Sequence, residues 1–138
     1  GGASVNVDAP DVTRRTIYAK VSRFELNPLL SLFDFPDPNV HAARRLETTT
    51  PLQKLFLMNG PFVLAQASAI ADRVTSDPVD SNGSPEDQVV SLFRRTLQRD
   101  PDKTERQAMT AFLKEHPQDG LQQAAQVLIT GNEFWFVD

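Results

Sequence analysis

The chain has 138 residues, about the size of one domain able to bury a core, and at 40% hydrophobic and 23% charged it is globular rather than disordered. A net charge of -4 speaks against a dedicated nucleic-acid binder, because DNA affinity needs many uncompensated phosphate contacts. There is no cysteine, which excludes disulfides, thiolate metal sites, a c-type haem attachment motif and a cysteine nucleophile within this sequence.

Residues 1–13 lack periodicity and read as a loosely held arm. Gly1-Gly2-Ala3-Ser4 looks like an expression scar or a linker, and with no initiator methionine the chain reads as a fragment of something longer. Residues 14–138 are expected to form one helical domain. Over 16–24, Ile17, Ala19 and Val21 alternate with Tyr18, Lys20 and Ser22, which predicts a half-buried strand. A lone strand needs a partner, and the other strand-like stretch is Phe134-Trp135-Phe136-Val137, so the two ends are candidates to pair with each other or with a missing part of the parent. A short helix is expected over 28–33.

From Thr50 onward the pattern is helical. Thr50-Pro51-Leu52-Gln53 is a capping box with proline at the first helical position, and its helix places Leu52, Leu55 and Phe56 on one face. Asn59-Gly60-Pro61 ends it and starts another, with Val63, Ala67, Ile70, Ala71 and Val74 at helical spacing. Residues 76–83 have loop composition. Ser84-Pro85-Glu86-Asp87 opens a third helix bearing Val89, Val90, Phe93 and Leu97. Asp102 with Glu105 caps a fourth, whose predicted core stripe is Ala108, Met109, Phe112 and Leu113. After His116-Pro117, a fifth carries Leu121, Ala124, Ala125, Leu128 and Ile129 and closes at Gly131. The expectation is a mainly α chain: a compact bundle of about five helices with an extended N-terminal segment and at most one short strand pair.

The candidate polar cluster is Asp34, Asp37, Asn39, His41, Arg44 and Arg45, in the proline-rich segment Phe33-Asp34-Phe35-Pro36-Asp37-Pro38-Asn39 and the residues after it. Three hard oxygen donors stand close together there, but the spacing, the glycine and the terminal glutamate of a calcium loop are all missing, so no metal site is assigned. Asp34 and Asp37 are carboxylates of the type that act as acid/base pairs, with His41 as a further base, yet nearness in sequence does not bring them onto one substrate. The simpler reading is that Asp34 or Asp37 pairs with Arg44 or Arg45 and clamps the N-terminal segment onto the bundle. Arg14-Arg15 and Arg94-Arg95 read as ion-pair partners or solvated faces. No glycine-rich phosphate loop and no nucleophile elbow is present. Phe134, Trp135 and Phe136 form an aromatic tail that either docks back on the core or marks an interface.

Taken in order, Arg14-Arg15-Thr16-Ile17-Tyr18, Phe33-Asp34 with Pro36-Asp37-Pro38-Asn39, Arg44-Arg45, Thr49-Thr50-Pro51-Leu52-Gln53, Leu57-Met58-Asn59, Pro61-Phe62-Val63 and Asn132-Glu133-Phe134-Trp135-Phe136-Val137-Asp138 resemble a known family. It is the C-terminal part of a planctomycete-specific domain of unknown function found in large proteins with cytochrome-c-like modules. The resemblance runs from residue 14 to residue 138. It implies a piece of an exported, periplasmic or cell-surface protein, with haem elsewhere in the parent and no cofactor in this chain. It implies no catalytic residues, and it places Asn59 and Asn132 at helix ends as caps or stops. Thr130-Gly131-Asn132 stands where the family's final motif begins Asn-Ser-Asn.

Two functions follow. One is a non-catalytic structural or interaction module that docks on other domains of its parent, or on a cell-surface or carbohydrate partner, without nucleic acid and without a membrane span. The other is a contribution to a shared active site in a redox-linked or polysaccharide-processing enzyme, with Asp34, Asp37, His41 and an arginine converging in one pocket.

Overall fold

A computed structural model describes residues 3–5, 14–22, 24–41, 48, 50–76 and 83–135. The chain is mainly α-helical, with seven α-helices among the described residues. It divides into two compact units, 1–56 and 57–138, and the division falls within one helix.

In the first unit, helix α1 spans Pro28–Leu32. Asn27 starts it: the side-chain oxygen accepts from the Leu29 and Leu30 amides at 2.8 and 3.4 Å, and Pro28 supplies the pre-set first helical φ. The helix stops on Asp34, whose φ of 57° is left-handed. The Phe35 amide then donates to the Leu30 carbonyl at 3.0 Å, the six-to-one bond of a Schellman ending. Glycine usually takes this position, and aspartate is among the few side chains that tolerate it. Leu30 is buried.

Helix α2 spans Pro51–Asn59 and opens with the predicted capping box. Gln53 N donates to Thr50 Oγ1 at 3.3 Å, and Thr50 N donates back to Gln53 Oε1 at 2.8 Å.

The strand expected over 16–24 is not there. Thr16–Tyr18 is a turn of 3-10 helix, closed by the Tyr18 amide on the Arg15 carbonyl and the Ala19 amide on the Thr16 carbonyl. Among the described residues, extended pairing is reduced to one isolated parallel bridge between Val5 and Ala19. The turn breaks the two-residue alternation, and Ile17, expected to face inward, is 80% exposed.

The second unit holds α3 (Pro61–Ser76), α4 (Pro85–Leu97), α5 (Lys103–Glu115), α6 (Gly120–Thr130) and the short α7 (Asn132–Trp135). Ser84 caps α4 by accepting from the Asp87 amide at 3.2 Å, and Asp102 and Glu105 form a complete capping box on α5. Glu86 and Asp87 in the first turn of α4 and Arg94 and Arg95 in its last complement the helix dipole. Helix α3 packs on α4 and α6, α4 on α5 and α6, α5 on α6, and α7 on α6 and α4.

The buried apolar side chains of this unit are Val63, Ala67, Val74, Val89, Leu92, Phe93, Leu113, Ala124, Ala125 and Ile129. Ala67 on α3 and Ala124 and Ala125 on α6 keep side-chain bulk low where the two helices meet, which permits close approach. All belong to the predicted stripes except Leu92. The α5 stripe is narrower than expected: Leu113 is buried and Phe112 and Met109 half-buried, but Ala108 faces solvent, and Thr110 is buried instead.

The C-terminal strand expectation also changes. Phe134 and Trp135 belong to α7, which follows α6 through Gly131, with the Phe134 amide donating to the Gly131 carbonyl at 3.2 Å. Phe136 and Val137 lie outside the described residues. Asn59 ends α2 and Asn132 begins α7, so both asparagines sit at helix ends. No helix among the described residues is long and apolar enough to cross a membrane.

Candidate functional site

The polar segment after α1 is organised by Asp34 and Gln53. The Asp34 carboxylate accepts the Thr48 amide at 2.7 Å and the Thr48 hydroxyl at 2.8 Å. These bonds, with a weaker one from Gln53, stabilise its charged form and hold the carboxyl below the usual carboxylate range. Gln53 is buried, and its Nε2 donates to the Leu32 carbonyl at 2.8 Å while its Oε1 caps Thr50. One glutamine thus joins the C-terminal end of α1 to the N-terminal end of α2. Phe33 and Phe56 meet edge to face beside it, with ring centroids 5.6 Å apart.

Asp37 works separately. Its Oδ1 accepts the Asn39 amide at 2.8 Å and its carbonyl accepts the Val40 amide at 3.2 Å, the local turn chemistry that aspartate favours. His41 is exposed. Arg44 and Arg45, expected to pair with Asp34 or Asp37, lie outside the described residues, and the described partner of Asp34 is Thr48. No group of three or more His, Cys, Asp or Glu that could hold a metal ion occurs among the described residues.

In the aromatic tail, the Trp135 Nε1–H donates to the Ile129 carbonyl at 2.7 Å and its ring meets Phe134 at 5.8 Å. The ring is therefore fixed, yet Trp135 is 47% and Phe134 41% exposed, so the tail is seated on α6 without being buried. Phe136 lies outside the described residues.

The second unit has a polar hub that sequence reading missed. The Arg99 guanidinium bonds both oxygens of Glu105 at 2.7 Å and those of Glu133 at 2.5 and 2.8 Å, and it sits over the Phe93 ring at 5.3 Å. These bonds hold the Glu105 carboxyl down at about 2, lower Glu133 too, and raise Arg99 further. Glu105 was legible as a cap, but a partner 34 residues from Arg99 leaves no trace in spacing. A surface concavity of about 440 Å³ was missed as well. It is lined by Ile70 and Arg73 of α3, Arg94 and Arg95 of α4, and Gln98 just beyond α4.

No curated protein and no solved structure matches the chain. One family model does, from residue 3 to residue 113 and so over most of the 138 residues. The match takes in the Asp34–Gln53 network and helices α1 to α4, and it ends within α5, short of the Asn132–Trp135 helix. On that coverage the chain belongs to the family described as PSD1, protein of unknown function (DUF1553).

Proposed function

We propose that this chain is a non-catalytic interaction module that docks, through the outward face of α2, on other domains of a large exported parent protein. The observation that carries this reading is an inverted helix. Gln53 of α2 is 7% exposed, whereas Leu52, Leu55 and Met58 are 66%, 56% and 60% exposed. Successive helical residues turn by about 100°, so these three share the flank away from Gln53. Three large apolar side chains along one short helix, all more than half open, make the kind of patch that marks a protein partner. The polar segment beside it supports the same reading, because Asp34 and Asp37 are engaged by Thr48 and by Asn39 in separate local networks. In this proposal the parent is the planctomycete type of protein with a haem module elsewhere, and this chain holds no cofactor of its own.

The test is to supply the remainder of the parent as a separate polypeptide and measure its binding to this chain by calorimetry. The double variant Leu52→Ser/Leu55→Ser should keep the wild-type fold and lose the association. Undiminished binding by the variant, or no binding by the wild-type chain, sinks the reading.

A further inference from the structure

Helix α7 is set apart from the bundle by a single residue. At Gly131 the backbone is extended, with φ -69° and ψ 153°, which breaks the run of α6. With four residues, α7 forms too few internal bonds to stand alone, so its place is set by what it touches. It packs on α6 and α4. Glu133 and Trp135 fasten it there: Arg99 Nε and Nη2 donate to the Glu133 carboxylate at 2.5 and 2.8 Å, and Trp135 Nε1 donates to the Ile129 carbonyl at 2.7 Å.

Both fastenings come undone without orphaning a buried group. When Glu133 leaves, Arg99 keeps both oxygens of Glu105 and the Asp100 carbonyl, and the Glu133 side chain, already 53% exposed, passes into water. Glu105 and Glu133 also repel each other across the guanidinium they share. The Ile129 carbonyl belongs to the last turn of α6, where a continuous helix would offer it the amide of residue 133 in place of the Trp135 indole. Seated α7 and a straight α6–α7 helix therefore compete for one acceptor, which makes the joint two-state.

Glycine at the joint favours the bent form. A Cβ at position 131 would lie 3.3 Å from the Leu128 carbonyl oxygen and 3.5 Å from that of Val127. Alanine there crowds the bend, and its helix propensity favours the straight form by about fivefold over glycine.

We propose that α7 is a hinged latch, seated on α4 and α6 in one state and swung out at Gly131 as a continuation of α6 in the other. Opening uncovers the part of α4 and α6 beneath it and presents Phe134 and Trp135 on a projecting helix. The Glu133–Arg99 pair is the release, because a partly exposed ion pair is screened by salt while the apolar core is not.

The chain has one tryptophan and it lies on α7, so its fluorescence reports the latch directly. The experiment is quenching of Trp135 in the full chain by acrylamide, a neutral quencher indifferent to local charge. Raising NaCl from about 0.1 to 1 M cuts the Debye length from about 10 to 3 Å and should raise the quenching constant. The ceiling is about twofold, as Trp135 passes from 47% to full exposure. Glu133→Lys sets like charges together and should give the open value at low salt. Gly131→Ala should move partway toward it and gain far-ultraviolet helical signal.

In both variants the amide of Leu92, wholly buried on α4, should keep its wild-type protection in hydrogen exchange. Equal quenching in wild type and both variants overturns the proposal. So does a rise that comes only with loss of Leu92 protection, since α7 would then open with the whole core. A fall in helical signal in Gly131→Ala overturns the straight state.

Discussion

The two units are stitched in opposite ways. Among the described residues of 1–56, Leu30 and Gln53 are the buried side chains, and order comes from caps: Asn27 on α1, Thr50 and Gln53 on α2, and Thr48 on Asp34. In 57–138, ten buried apolar side chains from α3 to α6 form a core, and the Arg99 hub is added at its edge. The difference teaches where each unit is vulnerable. A unit held by directional bonds fails when one donor or acceptor goes, because a net hydrogen bond is small but an orphaned group is not. A unit held by burial fails when volume is removed.

The largest effect should come from the apolar core. Phe93 is 1% exposed at the centre of α4, and Phe93→Ala should destabilise the chain by about 3–5 kcal/mol, read as a lower denaturant midpoint. A loss below about 1 kcal/mol would show that the core does not hold the second unit.

Next comes Gln53→Ala, which leaves the Leu32 carbonyl and the Thr50 amide without their partner. It should cost about 1–3 kcal/mol. Hydrogen exchange should report it as faster exchange at the Leu29, Leu30 and Lys54 amides. If those amides keep wild-type protection, the first unit is not held by its caps.

The Arg99 hub should matter less at neutral pH and more visibly in acid. Glu105 has its carboxyl depressed to about 2 from a reference of 4.5, so its contribution is present above about pH 4.5 and is lost as pH falls through about 2. Partial exposure screens the pair, and the contribution is about 1–2 kcal/mol. Acid unfolding of the wild type should therefore steepen across that window. Arg99→Met should flatten the slope there, and an unchanged acid profile in the variant would remove the hub from any role in stability.

The smallest effect is expected at Asp34. Asparagine tolerates the left-handed φ of 57° and still accepts from Thr48, so Asp34→Asn should be mild, whereas Asp34→Val should be clearly worse because a β-branched side chain is strained there. Thermal midpoints of the two variants check the order. Equal midpoints would mean that the backbone conformation, rather than the hydrogen bonds, contributes little to this turn.

Much of the second unit was legible in the sequence because helical periodicity and capping are local. The Ser84 and Asp102 starts, the break at His116-Pro117, and the Val63–Val74 and Leu121–Ile129 stripes all follow from contacts within one turn of helix. The candidate site was legible only in part. Asp37 with Asn39 is a two-residue turn and could be foreseen. Asp34 with Thr48 spans fourteen residues, a separation that leaves no mark on local pattern.

Period-two alternation misled over 16–24 because a 3-10 turn needs only a bond from Tyr18 to Arg15, which leaves no mark on hydropathy. The same limit explains α2. Helical spacing places Leu52, Leu55 and Phe56 on one face, but which flank is buried depends on what stands beside the helix. The Leu32 carbonyl drew Gln53 inward and left Leu52 and Leu55 in solvent.

The sequence by itself determined where helices α2 to α6 begin and end, since caps, prolines and glycines act on their nearest neighbours. Only the tertiary structure decided which faces those helices hide, which carboxylates meet Arg99, and that Arg73, Arg94 and Arg95 line one concavity. Those outcomes depend on chain segments far apart in sequence being brought within a few ångströms, and no local pattern records that distance.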